Sequence, residues 1–205
     1  MPDLEKALAD ITAIRTQIAR GTLFRGYGPA TIAATGVLAA VAAALQATRL
    51  PDPAAQPELY LALWVATAGF SAILIGIEMV ARTRRIHTGL ADEMLYAAVE
   101  QFVPAGVAGM LVTFVIWRFA PAGLMLLPGL WQIIFSLGVF ASCRSLPRPM
   151  FAVAVWYLGA GLLNLALADG HNALSPWAMG VPFAAGQFAM AAMFYRDNGE
   201  NDGEG

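Results

Sequence analysis

The run FAPAGLMLLPGLWQIIFSLGVFASC, residues 119–143, carries no charged side chain and is closed at either end by an arginine, Arg118 and Arg144. A charge at the centre of a membrane helix costs roughly 2.5–3.5 kcal/mol on the insertion scale, and about 20 apolar residues cross the hydrocarbon core as a helix. The run meets both conditions. Five further charge-free intervals share its character, at 26–48, 59–77, 101–117, 149–168 and 170–195. None shows the alternation of a membrane β-strand, and a backbone exposed to lipid must satisfy its own hydrogen bonds. The sequence therefore predicts an all-α integral membrane protein. Its six transmembrane helices are expected near 29–48, 59–80, 99–117, 122–143, 149–168 and 174–195, paired as three helical hairpins.

Composition agrees with this assignment. Of 205 residues, 59% are hydrophobic and 13% charged, with a mean hydropathy of +0.63, whereas a soluble domain carries about 25% charged residues. The net charge of -2 lacks the basic excess of a nucleic-acid binder. The single cysteine, Cys143, cannot form an internal disulfide, and with no His in sequence reach it reads as a structural thiol. Of the twelve Lys and Arg, only Arg49 and Arg118 fall on the side opposite the N-terminus. The positive-inside rule then places both termini in the cytoplasm of a bacterial-type inner membrane. About 25 residues with their own helical pattern precede the first span, which argues against a cleaved signal peptide.

Three segments follow: an amphipathic N-terminal helix over 1–25, the six-helix domain over 26–195, and an acidic tail over 196–205 read as disordered. The odd helices open on Pro29, Pro104 and Pro149, and the even ones carry Trp64, Trp131 and Trp177 towards their outer ends. This weak repeat is consistent with three hairpins and equally with ordinary helix-start and interface preferences. Small residues at four-residue spacing, at Gly36, Ala40 and Ala44, at Ala68, Ala72 and Gly76, and at Gly138 and Ser142, predict close helix contacts.

Three sets of side chains are candidates for function. On the cytoplasmic side Glu78, Arg82, Arg84, Arg85, His87 and Glu100 gather around one charged connection. Arginine forks could hold a lipid headgroup or phosphate there, although such a loop usually only sets orientation. Glu78 stands apart because it lies on the helix, with Arg82 its expected intrahelical partner. Within the spans, Gln132, Asn164 and Gln187 need hydrogen-bond partners and are expected to face the interior, either bonding one another or lining a polar pocket. Ahead of the spans, Leu4, Leu8, Ile11, Ile14 and Ile18 share one helical face, with Arg15 at a seam position. Residues 3–20 carry no net charge, so a membrane surface explains that face poorly. A protein surface explains it better: the chain's own loops, a second copy, or another protein.

Catalytic and cofactor signatures are missing from the sequence. His87 and His171 are the only histidines and fall on opposite sides of the membrane, so they cannot share a metal. No HExxH, CxxC, P-loop or GxSxG pattern occurs. The leading expectation is a non-enzymatic protein that acts through contacts, an anchor or regulatory subunit whose contact element is residues 3–20. A facilitator for a small neutral solute through Gln132, Asn164 and Gln187 is the alternative, and a lipid-modifying enzyme at the cytoplasmic face the third.

Overall fold

The structure is a computed structural model that describes residues 28–85, 89–143, 149–168 and 173–202, with backbone alone for 82–85, 89–99 and 197–202. The described residues form helices and short turns and no strand: α1 Pro29–Arg49, α2 Pro57–Arg85, α3 Gly89–Phe119, a 3-10 turn Pro121–Leu126, α4 Leu127–Ser142, α5 Met150–Ala166 and α6 Pro176–Asp202. Five segments are long and apolar enough to cross a membrane: Pro29–Arg49, Pro57–Ala81, Glu100–Phe119, Pro121–Ser142 and Pro176–Arg196. The sixth expected span corresponds to α5, a shorter apolar helix of 17 residues.

Each helix contacts the next in chain order and α6 closes back on α1, so the six form a ring of contacts. The most extensive contacts are α1 on α6 and α4 on α5, which lie between the expected hairpins rather than within them. Glycine explains both. A Cβ on Gly129 would stand 2.7 Å from the Gly161 carbonyl oxygen, and one on Gly161 would stand 2.8 Å from that of Gly129, so α4 and α5 meet backbone to backbone. On the other seam Gly180 rests on Ala43, and Gly36 lies under Gln187 and the Ala184 carbonyl. Where no hydrophobic effect drives helices together, such close approach gives the dispersion contact that does.

The predicted stripes are only partly used. Gly36 is buried, but Ala39 and Ala43 flank it in the contact while Ala40 and Ala44 are exposed. Gly138 packs on Phe102 and Ala105, and Ser142 is buried. On α2 the stripe fails: Ala68 and Ala72 are exposed and nothing lies within 4 Å of the Gly76 Cβ position. Four-residue spacing marks a surface that can be approached closely; it does not say that a neighbour is present.

Helix ends also differ from expectation. The charged connection is mostly helix, since α2 continues to Arg85 and α3 begins at Gly89. Pro104 consequently lies inside α3 instead of opening it, while Pro29 does occupy the first turn of α1 and Pro149 caps α5. At the C-terminus α6 runs on to Asp202, through most of the stretch read as tail.

Candidate functional site

The polar chemistry of the bundle converges on α6, and Pro182 is the reason. Proline has no N–H, so the carbonyl one helical turn before it, at Ala178, loses its intrahelical donor. Two side chains replace that donor: Gln132 Nε2 donates to the Ala178 oxygen at 2.7 Å and Asn164 Nδ2 at 2.9 Å. Asn164 Nδ2 also lies 3.0 Å from Gln132 Oε1, which ties the two amides to each other. Gln132 is wholly buried, and its Nε2 lies 3.8 Å from the Met179 sulfur. Two of the three amides singled out from the sequence therefore meet, around a backbone carbonyl exposed by a proline.

Gln187 is not part of this node. It lies nine residues beyond Ala178 on α6, where its side chain meets the Tyr157 hydroxyl and its Cβ covers Gly36. Its Oε1, like Ser136 Oγ and Tyr60 Oη, is buried with no hydrogen-bond partner. An open cavity of about 260 Å³ adjoins the node instead, lined by Asn164, Leu167, Ala173, Ser175 and Ala178.

Other donors also end on α6 or on the segment leading into it. Trp156 Nε1 donates to the Pro182 oxygen at 3.0 Å, and the Tyr157 hydroxyl reaches towards the Phe183 oxygen at 3.4 Å. Gln46 Nε2 donates to the Leu174 oxygen at 2.6 Å while Gln46 Oε1 accepts from Trp64 Nε1 at 2.8 Å. Sequence reasoning missed Gln46. The available signal was a lone amide in the alanine-rich helix 29–49, which a charge-based parse does not register. Trp131 Nε1 in turn donates to Thr113 Oγ1 at 2.7 Å. Trp64 and Trp131 are thus core hydrogen-bond donors, each to a polar residue 18 positions earlier. Trp177, the third of the set, is exposed as an interface residue would be.

The charged set is only partly visible. Glu78 is half-buried, and its carboxyl group occupies the space where a Cβ on Gly28 would stand. It therefore lies at the N-terminus of α1, whose first-turn N–H groups lack intrahelical partners and favour negative charge. The placement gives Glu78 a contact with the entry to α1; its expected partner Arg82 has a side chain outside the described residues. Glu100 is exposed on α3. The backbone puts Arg82, Arg84 and Arg85 on the last turn of α2. His87 and the contact set Leu4, Leu8, Ile11, Arg15 and Ile18 lie outside the described residues, and no cluster of metal-ligating side chains occurs among those described.

No protein-family model matches the chain, and neither a curated protein nor a solved structure does. The functional argument therefore rests on its own geometry.

Proposed function

We propose that the protein is a six-span inner-membrane protein, with both termini cytoplasmic, that works through protein contacts as an anchor or regulatory subunit. One observation carries the reading. No residue of the α3 span is buried and only 17% of the α2 span is, against 39% for α1, 39% for the 121–142 segment and 33% for α6. The positions best suited to close helix contact on this flank, Gly69, Gly76 and Gly106, meet nothing within 4 Å. A helix pair that leaves its small residues open in the membrane offers another transmembrane helix the backbone approach that drives association there. Residues 3–20 supply a second contact element on the cytoplasmic side.

The reading of six rather than five spans is supported by the ring, in which α5 bridges α4 and α6. Its 17 residues reach about 25 Å at 1.5 Å per residue, and the charge-free interval 149–168 extends beyond both of its ends. Cysteines introduced at Ala54 and Asn172 are expected to react with an impermeant maleimide in intact cells, and ones at Thr88 and Asn201 to stay unlabelled; reversal refutes the orientation. For the contact reading, a photoreactive residue at Ala72 is expected to yield a protein adduct of defined mass in native membranes, while one at Leu162, exposed on α5, yields lipid adducts only. Lipid adducts at both positions refute it.

The facilitator reading has one observation in its favour, the cavity beside Asn164 and Ala178, where a small neutral solute would meet the Asn164 amide already held in place. Vesicle permeability to such solutes tests it.

A further inference from the structure

Where α5 stops and α6 starts, the open cavity of about 260 Å³ is lined by Asn164, Leu167, Ala173, Ser175 and Ala178. The node beside it decides what the cavity presents. A backbone carbonyl oxygen can only accept, so Gln132 and Asn164 must both turn their NH2 ends to the Ala178 oxygen, at 2.7 and 2.9 Å. Two donors fill its two lone pairs. The second N–H of Asn164 goes to Gln132 Oε1 at 3.0 Å, which leaves Oδ1 as the one atom of that amide without a partner among the described residues. Oδ1 is not sealed in the core, since Asn164 is half-buried and lines the cavity. We propose that the cavity is a binding site for a small neutral hydrogen-bond donor, a short-chain primary amide or alcohol whose N–H or O–H is accepted by Asn164 Oδ1.

Three features select this class of ligand. The first is the direction of the hydrogen bonds on offer. Ser175 Oγ accepts the Trp177 N–H at 3.4 Å and keeps its own hydroxyl hydrogen, so the cavity presents one acceptor, Asn164 Oδ1, and one donor. A primary amide or an alcohol satisfies both, whereas a tertiary amide or an ether of the same size leaves Oδ1 desolvated and unpaired. The second is charge. No charged side chain occurs among the described lining residues, so an ammonium or carboxylate would lose its water without gaining a counter-charge. The third is size: at about 30 Å³ for each water-sized group, the volume holds fewer than about nine non-hydrogen atoms. Leu167, Ala173 and Ala178 supply an apolar wall for a short alkyl chain. The proposal rests on the cavity that the facilitator reading also uses, and it concerns binding rather than passage.

The test uses the full-length chain in mild detergent and two isomeric probes, propanamide, which carries N–H donors, and N,N-dimethylformamide, which carries none. In saturation-transfer NMR propanamide is expected to give a saturable signal and N,N-dimethylformamide to bind about tenfold more weakly, the worth of one hydrogen bond whose acceptor is otherwise left unpaired. Leu167 is exposed and makes none of the bonds of the node, so Leu167→Trp fills the cavity without touching them and is expected to abolish the propanamide signal. Asn164→Leu is expected to erase the difference between the isomers; should that variant fail to fold, Leu167→Trp still decides. Equal binding of the two isomers to the native chain, or a propanamide signal that survives Leu167→Trp, overturns the proposal. A saturable signal from neither isomer overturns it as well, leaving water as the occupant. Propanamide binding by a protein whose vesicles do not pass propanamide supports the site and refutes the facilitator reading alone.

Discussion

The two flanks of the ring are built on opposite principles. Helices α1, α4, α5 and α6 touch through glycine and alanine and are tied together by side-chain amides, whereas α2 and α3 are thinly packed on each other and present Phe70, Ile73, Ile77, Met110, Leu111 and Phe114 outwards. Hydropathy cannot account for the difference: the α2 span at 1.9 is as apolar as the 121–142 segment at 1.9, and the α3 span matches α1 at 1.7. In a bilayer the exposed apolar side chain costs nothing, so packing is decided by where backbones can approach and where polar groups need partners. Small residues occur on both flanks. The α4–α5 and α1–α6 seams place them opposite one another, as Gly138 and Ala105 are between α3 and α4, whereas Gly69, Gly76 and Gly106 meet no neighbour.

The largest effect that tests this contrast is steric. Gly161→Val puts a branched side chain where even a Cβ lies 2.8 Å from a backbone oxygen and an Ile133 side-chain carbon. The α4–α5 seam has to part, with an expected loss of about 3 kcal/mol, the upper end of ordinary overpacking costs. Gly69→Val on the open flank should change stability by less than about 0.5 kcal/mol, as surface changes do. Reversible unfolding in mild detergent measures both, and equal losses would erase the distinction between the flanks. A loss at Gly69 alone, seen in native membranes but not in detergent, would sharpen it by revealing a membrane partner on that side.

An intermediate effect is expected at the polar node. Gln132→Leu removes the bond to the Ala178 oxygen and the contact with Asn164; at about 0.6 kcal/mol for an average intramembrane bond and up to about 1.7, the loss should be about 1–2 kcal/mol. Pro182→Ala restores an N–H that can serve the Ala178 carbonyl from within α6. In the double variant the cost of Gln132→Leu should therefore shrink, and a double-mutant cycle reads that coupling directly. Strict additivity would mean that the amides are not there to serve the carbonyl that Pro182 leaves open.

How far this arrangement could be read in the sequence depends on the kind of signal. Charge-free intervals are one-dimensional, and they located the five long apolar helices and α5. That Gln132 and Asn164 belong together followed from the cost of a lone amide in hydrocarbon. Their shared acceptor did not, because it is a main-chain atom of Ala178 and is exposed only by a proline four residues on. Gln46 was passed over, and Trp64 was read only as an outer-end tryptophan, for a related reason: near a span's end a polar side chain can reach water, and only the fold shows Gln46 buried between Trp64 and the Leu174 carbonyl. That Glu78 also meets Gly28 was not legible, because the chain brings the two together through space. The choice between Ala40 and Ala39 as a contact position is a rotation of one residue about α1, which the neighbours fix and composition does not.

The smallest effect belongs to Gln187, and it separates the two functional readings. The residue is 7% exposed and its Oε1 has no partner, so one half of the amide is desolvated without compensation, while the other half meets the Tyr157 hydroxyl. Replacing a buried group that is only half satisfied removes a desolvation penalty along with the bond it makes, and the two are of similar size. Gln187→Leu should therefore leave stability within about 1 kcal/mol of the native chain. It also keeps a Cβ over Gly36, so the α1–α6 seam has no reason to move. If the protein acts through contacts, cellular function should survive this change, because neither the α2–α3 flank nor residues 3–20 is touched. Retention of the fold with loss of function would mean that the unpaired carbonyl serves a passing molecule, and would move the facilitator reading ahead of the contact reading.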